Sequence, residues 1–143
     1  METGPRIRLV LWKAAKAMEK ADLKSIAETG LGLSDFAIME ALLHKGPLAV
    51  NRIGEKVLLS SGSMTAAVNR LESKGLVRRK QDPMDGRRYV VGLTPAGRGM
   101  IDEAYEKHRE DLDRIADILT PEERTELVRL LKKIGFHAER RAE

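Results

Sequence analysis

Apolar residues recur along this chain at helical spacing in several stretches and at strand spacing in one. Residues 6–29 place Ile7, Val10, Leu11, Ala14, Ala17, Met18 and Ala21 three and four apart, which predicts a long amphipathic helix. Gly30-Leu31-Gly32-Leu33 interrupts it, and Ser34 is placed to cap a second helix over about 35–44. Lys45-Gly46-Pro47 stops that helix, and Leu48-Ala49-Val50 reads as one short strand of a small sheet. Two short helices flank Leu58-Leu59-Ser60. Ile53 and Val57 share a face of the first, and Met64, Val68 and Leu71 share a face of the second, so the two can pack together. Ser61, Ser63, Thr65 and Asn69 then point outward. Gly75 is placed as a left-handed cap. The β-prone runs Leu76–Gln81 and Tyr89–Leu93 flank a Pro and an Asp-Gly, which predicts a hairpin with a longer loop. Thr94-Pro95 opens a helix over about 95–119 with Ile101, Ala104, Leu112, Ile115 and Leu119 aligned. Thr120-Pro121-Glu122-Glu123 has the capping-box pattern ahead of a last helix striped by Leu127, Leu130, Leu131 and Ile134.

Charge sharpens this picture. Residues 51–98 carry ten Lys/Arg against four Asp/Glu, a net of +6, while the whole chain is only +4. The positive field therefore sits on the helix–turn–helix and hairpin, as expected of a surface that meets nucleic acid. A helix lined with hydroxyl and amide side chains can enter a DNA major groove and hydrogen-bond base edges. A hairpin carrying paired arginines can reach an adjacent minor groove. The expected fold class is mainly α with a small β-wing: a winged helix-turn-helix head over about 34–93, with dimerisation helices over about 6–29 and 95–140, in a single domain spanning 1–143. The three long amphipathic helices outside the head need cover for their stripes, and a second copy of the chain is the economical partner.

Composition narrows the alternatives. With 42% hydrophobic and 34% charged residues the chain is globular, and no apolar run approaches the roughly 18 residues that span a bilayer. The N-terminal stretch turns to Lys13, Lys16 and Glu19, an amphipathic pattern rather than a signal peptide, so a cytoplasmic location is expected. The absence of cysteine excludes disulfides, thiolate metal sites and thiol redox switches. His44, His108 and His137 are scattered without ligand spacing, so no metal is expected, and no cofactor either. No catalytic constellation is present, and Gly97-Arg-Gly99 lacks a phosphate-loop pattern, so an enzyme is not expected. The competing reading is a winged-helix protein–protein adaptor whose basic head meets an acidic partner.

The wing sequence Asp82-Pro-Met-Asp85-Gly-Arg87-Arg88, followed by Val-Gly-Leu93-Thr94-Pro-Ala-Gly97, resembles the signature of the MarR family of bacterial transcriptional regulators. The order of elements is similar too, and the resemblance covers about residues 6–140. It implies a dimer built on the first, fifth and sixth helices that binds palindromic double-stranded DNA, most often as a repressor released by a small phenolic or other aromatic effector. Members that sense oxidants through a cysteine are no guide here, because the chain has none. The stretch Leu33–Gly75 resembles the branch associated with quinones and hydroxylated aromatics.

By the same resemblance, Arg87 is the wing arginine that enters the minor groove, and Asp85 the acidic residue that holds it. Ser61, Gly62, Ser63, Thr65, Asn69 and Arg70 match recognition-helix positions facing the major groove and its phosphates. Each has a plainer reading. Arg87 and Arg88 can be solvated wing charges, and Asp85 an ordinary turn residue. Ser60 and Ser61 can simply cap the helix, and Arg70 can pair with a carboxylate. Lys74, Arg78, Arg79 and Lys80 read as general field. Trp12 packs in a core or interface, or walls an effector pocket between platform and head, with Phe36, Met39 and Tyr105 as further candidates.

Overall fold

The computed structural model describes residues 1–57 and 61–142, with the side chain of Ser61 left out. Helix α1 spans Gly4–Ala27, beginning two residues earlier than the apolar stripe implies because Thr3 caps it and Pro5 fills its first turn. Helix α2 spans Leu33–Lys45. Its N-cap is Gly32, not Ser34, and no side chain caps it. Ser34 lies inside the first turn, and the next residue, Asp35, supplies the acidic group that favours a helix N-terminus. Gly46 ends the helix, and strand β1, Leu48–Ala49, leads directly into helix α3, Val50–Val57. Helix α4 spans Ser61–Ser73, and Gly75 adopts the left-handed conformation expected past its end, with φ 73°.

Strands β2, Val77–Asp82, and β3, Asp85–Leu93, form the hairpin. The sheet order is β1-β3-β2, antiparallel throughout, with Leu48 opposite Val91 and Val77 opposite Leu93. The connection is tighter than expected. Asp82 pairs with Asp85 after a register shift at Gln81, so only Pro83 and Met84 lie outside the strands. Arg87 and Arg88 consequently stand in β3 rather than in a loop. This part of β3 is exposed and polar on both faces, so no apolar alternation marks it as strand.

Helix α5, Pro95–Ala116, ends before the expected position, and the chain turns through 117–119. Thr94 caps it and accepts a hydrogen bond from the Gly97 amide at 3.0 Å. Helix α6, Pro121–Arg141, opens with the expected capping box between Thr120 and Glu123.

One core joins the head to α5. Phe36, Ile38, Met39 and Leu42 of α2 meet Ile53 of α3, and with them Met64, Ala67, Val68 and Leu71 of α4, Val77 and Val91 of the sheet, and Ile101 of α5. Burying each large side chain stabilises by roughly 1.5–3 kcal/mol, so this cluster fixes α4 and the hairpin against α2 and α5. The long helices differ. No residue of α6 is buried, and Ile7, Val10 and Leu11 of α1 lie exposed beside Leu127, Leu130, Leu131 and Ile134 of α6. Among the described residues no helix is long and apolar enough to cross a membrane.

Candidate nucleic-acid interface

Helix α4 divides cleanly. Met64, Ala67, Val68 and Leu71 face the core, while Gly62, Ser63, Thr65, Asn69 and Arg70 lie on the exposed face. That spacing is the helical period itself: the buried residues hold the helix, and the outward ones present its surface. Ser60 and the side chain of Ser61, expected to cap the helix or meet a phosphate, lie outside the described residues.

Two arginine contacts anchor this helix, and neither was legible in local sequence. Arg70 forms a forked pair with Asp35 at the start of α2, Nη2 to Oδ1 at 2.8 Å and Nε to Oδ2 at 3.3 Å. Asp35 is buried, so its charge requires that partner. The plainer reading of Arg70 as a carboxylate partner thus describes part of its role. The guanidinium has five N–H donors and half of the side chain is exposed, so donors remain for an incoming phosphate. Arg79 of β2 reaches back to α4, donating to Glu72 Oε1 at 2.8 Å and to Asn69 Oδ1 at 2.9 Å. Its backbone N–H donates to Glu72 Oε2 at 3.1 Å. Arg79 is therefore a structural link between hairpin and helix rather than a source of general field.

At the hairpin, Asp85 Oδ1 accepts from the Arg87 backbone N–H at 3.1 Å and approaches Arg87 Nε at 3.4 Å. Asp82 Oδ1 accepts from the Met84 N–H at 2.9 Å, closing the turn, and Gln81 Nε2 donates to the Gly86 carbonyl at 3.1 Å. The Arg87 side chain is 92% exposed. A cation whose base is held and whose tip is free in solvent can enter a narrow, negatively charged groove. Arg88 follows on the strand, so its side chain leaves from the opposite face.

A second feature lies between α1 and α5. A cleft of about 460 Å³ is lined by Ser25, Glu28, Thr29, Met100, Glu103, Ala104 and Lys107. Lys107 pairs with Glu28 there. Behind Ser25 sits a buried polar cluster: His108 Nδ1 is 3.1 Å from Ser25 Oγ, and His108 Nε2 is 3.7 Å from Asp22 Oδ1. The second distance exceeds a hydrogen bond, and Asp22 Oδ1 is buried without a hydrogen-bond partner among the described residues. Burial pushes the Asp22 carboxyl above its ordinary range; His108 opposes that push and Glu19 adds to it.

None of the residues expected to wall an effector pocket lines this cleft. Phe36 and Met39 are buried in the core, where Phe36 meets the His108 ring edge-on at 5.1 Å. Tyr105 stacks edge-on against His44 at 4.6 Å, and Trp12 is exposed on α1. His108 is the residue whose place was least foreseeable, because the polar groups that meet it, on Asp22 and Ser25, lie more than 80 positions away. Among the described residues no group of His, Asp and Glu is placed to hold a metal ion.

Known proteins share this arrangement. The model of the MarR family matches residues 29–88. The chain is 34% identical over 137 residues to the HTH-type transcriptional regulator MhqR of Bacillus subtilis, covering 96% of this chain and 94% of that protein. It is 32% identical to the uncharacterized HTH-type transcriptional regulator YkoM of the same organism, covering 97% and 90%. Among solved structures, NadR in complex with 4-hydroxyphenylacetate superposes with a TM-score of 0.80 at 26% identity, covering 94% of this chain and 97% of that one. The mostly helical architecture and small antiparallel sheet of this chain are those of the winged-helix regulators it resembles, and these relatives regulate transcription rather than catalyse reactions. The chain belongs to the MarR family, as a winged helix-turn-helix transcriptional regulator.

Proposed function

We propose that the protein is a homodimeric, sequence-specific repressor that binds a palindromic operator and is released by a small aromatic effector. The observation that carries the DNA reading is the pairing of an exposed hydroxyl and amide face on α4 with the solvent-exposed Arg87 of β3, both held on one core. Affinity comes from phosphate neutralisation by the basic head. Specificity comes from Ser63, Thr65 and Asn69 in the major groove and Arg87 in the minor groove, with Asp85 supporting it. Gly62, where an added Cβ would meet nothing within 4 Å among the described residues, leaves room for close approach of the phosphate backbone. Arg70 and Ser61 add phosphate contacts, and Arg88 contributes field from the other face of the strand.

The dimer reading rests on the uncovered apolar stripe of α1 and α6, a contiguous exposed face of the kind that marks an interaction surface. The effector reading rests on the α1–α5 cleft, where Met100 and Ala104 offer an apolar wall and Ser25 a polar one. A ring bearing a hydroxyl or carboxylate group fits that lining, and NadR is a relative solved with such a molecule. The cleft joins α1 of the platform to α5, which carries the head. An occupant there biases the separation of the two heads, and with half-site spacing fixed on DNA, a small change loses one head's contacts.

One binding experiment tests both parts. With the operator duplex at a fixed salt concentration, Arg87→Ala should lose about ten- to a hundredfold in affinity, with an unchanged melting temperature. Adding hydroxylated aromatic acids should release wild-type protein from the same duplex. Equal affinity of Arg87→Ala and wild type would remove the wing from the interface, and indifference to every such acid would remove the effector.

A further inference from the structure

We propose that Arg79 determines base specificity indirectly, as a positioning residue that holds the Asn69 carboxamide in a single orientation. This inference rests on the DNA-binding reading above and assigns one of its contacts. A guanidinium only donates hydrogen bonds, so the atom of Asn69 facing Arg79 Nη2 at 2.9 Å must be the carboxamide oxygen. The amide NH2 is then turned away from Arg79. With one lone pair of that oxygen taken and the NH2 turned away, Asn69 meets DNA chiefly through its donors.

Arg79 is itself held at both ends, its guanidinium by Glu72 Oε1 and its backbone N–H by Glu72 Oε2. Its side chain is 28% exposed, against 92% for Arg87, so the clamp is partly shielded from solvent while the wing arginine is not. The three residues come from two elements, with Asn69 and Glu72 on α4 and Arg79 on β2, and the contact sets the hairpin and the reading helix as one unit. An unrestrained asparagine reads adenine with both ends, accepting from N6 and donating to N7. With its oxygen committed to Arg79, Asn69 favours an edge that presents acceptors. Guanine offers two such acceptors side by side, O6 and N7, and thymine offers O4, whereas adenine sets its N7 beside an amino donor and cytosine offers only its amino group. The clamp also orders the side chain before DNA arrives, lowering the entropy lost on binding.

The test compares sequence preference, at every operator position, for the full-length wild type, Arg79→Met, Asn69→Ala, the double variant and Asn69→Asp. Wild type should prefer guanine or thymine at the position that Asn69→Ala relaxes. Arg79→Met should relax that same position, and no other, by about five- to tenfold. The double variant should relax it no further than the single ones, with dimerisation unchanged and the melting temperature lowered by no more than about 4 °C for the lost Arg79–Glu72 pair. Asn69→Asp keeps an acceptor for Arg79 but removes the donors, so it should shift the preference towards adenine or cytosine while leaving the fold intact. Uniform weakening of all sequences by Arg79→Met, or relaxation spread over many positions, would overturn the assignment. A wild-type protein with no sequence preference would overturn the DNA reading beneath it.

Discussion

Leu131→Asp is expected to convert the protein to a monomer and to remove specific DNA binding with it. Leu131 lies with Ile7 and Leu11 along the apolar face shared by α1 and α6, and it lines both grooves on that face. In a two-fold dimer one substitution introduces two carboxylates, one from each copy, into the contact. An unpaired charge in such a contact costs about 3 kcal/mol or more, so the dimer dissociation constant should rise by at least about a hundredfold. Losing the second head also removes its effective concentration at the neighbouring half-site, a further loss of about a hundredfold in operator affinity. Leu131 is absent from the core cluster, so the head should keep its helical content. Light scattering and operator binding read both effects. A dimer that persists unchanged would place the interface elsewhere.

Gly97→Ala should cause a large loss of stability for the addition of a single methyl group. A Cβ at position 97 would sit 1.9 Å from the Leu76 carbonyl oxygen and 2.8 Å from its carbonyl carbon. That oxygen cannot simply retreat, because it accepts the Thr94 N–H at 3.1 Å. Thr94 in turn donates from Oγ1 to the Gly75 carbonyl at 2.6 Å and accepts from the Gly97 N–H. The clash therefore falls on the junction where the end of α4, the start of β2 and the N-terminus of α5 are tied together. A cost of about 3 kcal/mol is expected, lowering the melting temperature by about 6–12 °C. A variant melting within about 2 °C of wild type would show that α5 can move off the hairpin freely.

The reading-head elements and the Thr94 and Thr120 caps were legible because each has a local signature. Thr94-Pro95 and the Thr120–Glu123 capping box satisfy helix N-termini within four residues, and Ile53, Met64, Val68 and Leu71 carry the helical period of buried faces. Where local signals misled, a specific competing feature won. Ser34 resembled a cap, yet the chain enters α2 earlier, through Gly32. Arg87 and Arg88 resembled loop residues because the outer part of β3 has no apolar alternation, although its backbone pairs almost to the turn.

The candidate site was legible by position but not by support. The outward face of α4 follows from periodicity, whereas the pairs Arg70–Asp35 and Arg79–Asn69 depend on where α2 and β2 pack. The Asp22–Ser25–His108 cluster joins α1 to α5 across the fold, which no local pattern encodes. Trp12 illustrates the opposite limit: an aromatic on an apolar stripe predicts burial, and in the single chain it is exposed because that face of α1 has no cover.

Selection of the wild-type protein against a randomised duplex pool at roughly physiological salt comes before the other experiments. A sequence-specific dimer should enrich one palindrome with half-sites about one helical turn apart, and the enriched duplex should lose affinity steeply as salt is raised. Recovery of an unenriched pool would contradict sequence-specific recognition and leave a basic winged domain whose partner is a protein.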